Sequence, residues 1–190
     1  MEALVSLFLL GLLTLVAVPA IGDSVQRFRL RDASRHILTM MRQARMMAAV
    51  RGRFTALRFV RASGEIVYSL FEDGDGDGVL ESDIRSGRDR EISVREPLSA
   101  RFPGVQVRIL SRQKISKIPP ARGFLENLDD PVKFGNSDLI SFSPLGSSSS
   151  GTLYISSGDS DMVAIKLFGP TGRTQTWRYD DSTDTWTEIQ

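Results

Sequence analysis

Cysteine is absent from the 190 residues, and histidine occurs once, at His36. The first absence excludes a disulfide framework, Cys-ligated zinc, an iron–sulfur cluster and a thiol nucleophile. The second leaves any Ser/His/Asp triad dependent on His36, which lies among arginines with no nucleophile elbow nearby and reads as a surface residue. P-loop, HExxH and dinucleotide-binding fingerprints are missing as well. No cluster meets the geometric demands of catalysis, so the chain is expected not to be an enzyme. An excess of either charge is also lacking: 24 Lys and Arg stand against 23 Asp and Glu. With 41% hydrophobic and 25% charged residues, the composition excludes a disordered chain, a collagen-like fibre and a uniformly basic nucleic-acid binder.

The even average conceals three unlike parts. Residues 1–22 hold no Lys or Arg and one acid, Glu2. Residues 23–53 carry eight Arg against Asp23 and Asp32, a charge of +6. Residues 54–190 carry sixteen Lys and Arg against twenty acids, a charge of −4. The expected organisation follows these boundaries: a transmembrane half of a helix (1–22), its amphipathic half (23–53) and a β-rich domain (54–190).

Ala3 to Ile21 is apolar apart from Ser6 and Thr14. Nineteen residues at helical rise cover about 28 Å, close to the ~30 Å hydrocarbon core of a bilayer. No basic n-region precedes the run and no clean small-x-small cleavage site follows it, so it reads as a retained anchor. Glu2 at its lip and Pro19 near its end are costly in a plain anchor. Beyond it, Val25, Phe28, Ala33, Ile37, Met40, Met41, Ala44, Met47 and Ala48 recur at helical spacing, and Gly52 is a stop signal. Joined, the two parts predict one helix of about fifty residues, on the order of 75 Å long. The arginine excess after the run would place that side in the cytoplasm under the positive-inside rule.

From Thr55 the period changes to that of strands. Strands are expected at 55–60, 65–71, 105–110, 139–143, 152–156, 162–168, 174–179 and 185–189. Residues 111–137 read as an irregular excursion or lid, and Gly146 to Gly151, with four serines, as a flexible loop. The fold class is therefore α+β, a long N-terminal helix packed on an antiparallel β-sheet domain. Within it, Asp73-Gly74-Asp75-Gly76-Asp77-Gly78 resembles the start of an EF-hand loop, with Glu81 at the ninth position. Asp73, Asp75, Asp77 and Glu81 are thus candidate calcium ligands, against the alternative of a solvated acidic turn. The twelfth position holds Ile84 rather than a bidentate Glu, with Asp83 one place early.

Ala17-Val18-Pro19-Ala20, Gly11 and Glu2 together resemble the N-terminal helix of type IV pilin-like proteins. Leu38 to Arg53 before a strand, Phe142-Ser143-Pro144-Leu145-Gly146, Gly151-Thr152-Leu153 and Thr171-Gly172-Arg173 are similar to motifs of the GspH/FimT-type minor pseudopilins. The resemblance implies a structural subunit of a type II secretion pseudopilus or type IV pilus, with no required cofactor. It implies a single-pass protein of the bacterial inner membrane with its C-terminal domain in the periplasm, the reverse of the charge-bias orientation. Other pilins or pseudopilins, an inner-membrane assembly platform and a prepilin peptidase are the implied partners. It also implies a basic leader, a cleavage site and three residues ahead of Met1, and it gives Glu2, Gly11 and Pro19 the assembly roles. Some FimT-type proteins bind DNA through a Gly-Arg-x-Arg motif. Here Gly172-Arg173-Thr174-Gln175 keeps one arginine, so DNA binding through Arg173 and Arg178 is the alternative.

Overall fold

The computed structural model describes residues 2–111, 114–135 and 137–189, with the side chains of 2–4, 6 and 8–23 left out of the description. Helix α1 runs from Glu2 to Arg51 and ends at Gly52, whose φ of 64° only glycine adopts without strain. The strand-rich body then reads β1 (Thr55–Ala62), β2 (Glu65–Glu72), α2 (Glu81–Ser86), β3 (Arg90–Glu91), β4 (Glu96–Pro97), α3 (Leu98–Arg101), β5 (Val105–Gln106), β6 (Val132–Lys133), β7 (Leu139–Phe142), β8 (Gly151–Ser157), β9 (Asp161–Phe168), β10 (Arg173–Asp180) and β11 (Thr185–Ile189).

Two antiparallel sheets form. One has the order β3-β2-β1-β7, with β4 also on β2; the other has the order β11-β10-β9-β8-β5, with β6 also on β8. Alternation along each strand sends one set of side chains toward α1 and the other away. Leu57, Phe59, Leu70 and Ile140 of the first sheet meet Leu153, Ile155, Val163 and Ile165 of the second in a core shared with the helix. The helix contributes Leu30, Ala33, Ile37, Met41, Ala44 and Ala48. Three of these six are alanines, which lets the helix backbone lie close to both sheets. Thr55 Oγ1 donates to the Ala44 carbonyl at 2.8 Å and fixes the first strand to the helix.

The expected stripe is thus right from Ala33 onward and wrong at its start. Val25 is 39% and Phe28 63% exposed, outside the buried core that starts at Leu30. The buried core takes helix residues from Leu30 onward, while polar contacts with the second sheet already occur at Gln26 and Arg27. Further toward the N-terminus, Val5 and Leu7 are exposed. No helix among the described residues is long and apolar enough to cross a membrane. Most of the run 3–21, on which the anchor is expected, lies outside the described side chains.

Three further expectations change. His36 is half-buried rather than a surface residue, packed between the rings of Tyr68 and Phe102, with its Nε2 2.8 Å from the Tyr68 hydroxyl. Burial, aided by Arg101, lowers its pKa. The serine run is tied down: Ser149 N donates to Ser141 O, Ser148 N to Gly169 O, and Ser150 Oγ accepts from Gly169 N. It covers the edge of β7, which would otherwise present unpaired backbone groups. The strand expected over 105–110 is only two residues long. β5 and β6 pair end to end along the same edge of β8, and residues 108–131 leave the sheet between them. This excursion carries Ile109, Leu110, Ile115 and Ile118 onto the outer face of the second sheet, against Tyr154, Met162, Tyr179 and Trp186. Trp186 Nε1 donates to Ser116 O at 2.7 Å, and Asp184 Oδ1 accepts from Ser116 N and the Tyr179 hydroxyl.

Candidate functional site

The acidic loop is the long connection of the β2–β3 hairpin, and Asp73 and Asp89 stand at its neck, both buried. Their carboxylates organise the backbone between them. Asp73 Oδ1 accepts from Asp75 N at 3.0 Å and Gly76 N at 2.7 Å, and its Oδ2 from Gly78 N at 3.1 Å. Asp89 accepts from Gly74 N at 3.1 Å and Leu80 N at 2.9 Å. Each bond satisfies a backbone donor that the tight turns would otherwise leave unpaired. Gly74 is needed for closeness: a Cβ there would lie 2.0 Å from the Arg88 carbonyl oxygen.

Carboxylate oxygens of Asp73, Asp75 and Asp89 fall within 4.8 Å of one another, as do those of Asp75, Asp77 and Asp83. Three of the four sequence candidates are therefore brought together. Glu81 is not. Its carboxylate is held by Arg58 on the outer face of β1, through Nε at 2.7 Å and Nη2 at 2.6 Å. Asp83 and Asp89 join the carboxylate cluster instead, and Asp89, sixteen positions after Asp73, carries no spacing signal of a calcium loop. An all-oxygen donor set suits a hard cation such as calcium. The positive charge at the cluster comes from Arg88, with Nη1 3.2 Å from Asp75 and 3.1 Å from Asp83. The hydrogen bond from Arg88 holds the Asp75 carboxyl below its usual range. The hydrogen bond shared with Asp75, with Asp83 and Asp73 close by, pushes the Asp77 carboxyl up.

Arg173 and Arg178 do not form a joint patch. They lie five positions apart on β10, an odd interval, so their side chains point to opposite faces of the sheet. Arg178 turns toward the helix side and lies 3.4 Å from Asp161, while Arg173 is exposed at the far end of the strand. The assembly candidates Glu2, Gly11 and Pro19 belong to α1, and their side chains lie outside the described residues. No family model, curated protein or solved structure matches this chain.

Proposed function

We propose that this chain is a minor pseudopilin, a structural subunit incorporated during assembly of a type II secretion pseudopilus or type IV pilus, and that it performs no reaction. One observation carries the reading. A single fifty-residue helix has a C-terminal part buried from Leu30 against a β body, while its N-terminal part begins with an acid and a nineteen-residue apolar run. A helix longer than its own domain needs a second apolar environment for the rest. A bilayer supplies it before assembly and the helices of neighbouring pilins supply it afterwards. In this reading the protein sits in the bacterial inner membrane with its body in the periplasm. Its partners are other pilins, the assembly platform and the prepilin peptidase. No cofactor is required, and calcium is a candidate structural ion of the acidic loop.

Glu2 accepts the charge of a neighbouring subunit's N-terminal amine, which makes a carboxylate in an apolar setting tolerable. Glu2→Ala and Glu2→Leu should leave membrane insertion and the folded body intact, because Glu2 starts α1 and the buried core takes helix residues only from Leu30 on. Incorporation into filaments, read by co-purification with the other pilins, should drop. Wild-type incorporation of both variants would remove Glu2 from assembly and take the proposal's central pairing with it.

A further inference from the structure

Where α1 first meets the body, a groove of about 270 Å³ opens between the helix and the second sheet. Its apolar wall is Phe28, Val163 and Ile189. Its polar rim is Arg27, Arg31 and Arg178 against one carboxylate, Asp161, which lies 3.6 Å from Arg27 and 3.4 Å from Arg178. Two guanidiniums share that acid, and Arg31 makes no ion pair among the described residues. Among the described residues lining the groove, three arginines thus face one carboxylate. Nearby, Asp32 lies 3.9 Å from Arg35, Asp159 pairs with Arg108, Asp184 accepts from Tyr179 and Ser116, and Asp180 accepts from Ser182 while also sensing the charge of Arg178.

Height along the helix decides the occupant. The body already bonds α1 at Gln26, whose Oε1 accepts from Ser157 Oγ at 3.1 Å. Gln26 is five residues past Ile21, about 8 Å at helical rise. The polar headgroup layer on each side of a bilayer is about 5–8 Å thick. Arg27 and Phe28, which is 63% exposed, thus stand at headgroup level once the apolar run spans the bilayer. An aromatic face beside guanidiniums matches a phosphodiester above acyl chains, since such residues pair an apolar body with a polar or charged tip at the interface. We infer that this groove seats the headgroup of an anionic phospholipid and holds the body against the membrane surface before assembly. The inference rests on the anchored reading proposed above.

Full chain is reconstituted into nanodiscs of phosphatidylcholine alone, and of phosphatidylcholine with phosphatidylglycerol, and backbone hydrogen exchange is followed. Residues 24–31 and 161–163 should exchange more slowly in the anionic discs, by about fivefold for each engaged arginine. Molar salt and the combined variant Arg27→Gln, Arg31→Gln, Arg178→Gln should both abolish the difference. Unchanged exchange over 37–48 in that variant shows that its core is intact. Equal exchange of the wild type in both discs overturns the inference and leaves the anchor standing. Inorganic phosphate giving the same protection in neutral discs also overturns it, in favour of a soluble anion. Failure to enter either disc removes the anchor and the inference together.

Discussion

Ile84 stands where an EF-hand loop carries its bidentate glutamate, and its surroundings explain the exchange. It packs with Val79 over Ala56, Phe71 and Leu139 on the outer face of the first sheet, so the loop folds over that sheet. A glutamate there would bury a charge without a partner. Arg88 then supplies the positive charge the loop needs. If calcium binds, the melting temperature of the full chain should be higher with calcium than with chelator. Stabilisation reaches about 2.7 kcal/mol at a hundredfold excess over the dissociation constant. Arg88→Gln should lower the melting temperature in chelator and enlarge the calcium shift, because the carboxylates lose their internal cation. No calcium effect in either protein leaves the loop an acidic turn. A second residue-scale effect concerns Asp184, whose carboxyl is held below its ordinary 3.8 by the Tyr179 hydroxyl and Ser116. A depressed folded pKa contributes stability above the unfolded value, lost as pH falls through the folded one. Asp184→Asn should therefore cost melting temperature at pH 7 and progressively less below about pH 3.8, the ordinary value. A constant difference across the acid range would assign the cost to geometry instead.

Among the elements, α1 shows how one stripe divides into buried and free sections. Ile37 is fully buried between the two sheets, whereas Phe28 and Val50 are 63% and 80% exposed. Ile37→Ala should destabilise the chain by about 2–5 kcal/mol in urea unfolding. Phe28→Ser and Val50→Ser should stay within about 0.5 kcal/mol of wild type. Similar losses at all three positions would mean that the helix seats differently on the sheets. The stripe from Ala33 was legible because helical spacing is a local property. The two-residue strands β5 and β6 were not, since their length is set by where the excursion leaves the sheet. Nor did Val105 to Leu110 reveal, from apolar content alone, that Ile109 and Leu110 cross to the outer face.

At the scale of the whole molecule, the helix and both sheets close one core, with the excursion covering one outer face and the acidic loop the other. This arrangement predicts a graded opening. In detergent, amides of α1 from Leu30 to Ala48 should exchange together with β1, β8 and β9, since they share that core. Amides of 24–29 should exchange earlier, having few buried neighbours. Simultaneous exchange across 24–48 would show that the cooperative core extends further down the helix than Leu30.

The alternation of apolar and polar residues and the change of period at Thr55 determined the α+β class, the long helix and the places of the major strands. They could do so because each is a property of neighbours along the chain. The acidic repeat likewise placed Asp73, Asp75 and Asp77 in one loop. Tertiary structure alone decided that Glu81 pairs with Arg58, that Asp83 and Asp89 join the cluster, and that Arg173 and Arg178 face apart. It also decided that His36 meets Tyr68, thirty-two positions away. These outcomes depend on which side chains two sheets and a helix bring within a few ångströms. Partners remote in sequence are chosen by sheet register and packing, which no local pattern encodes.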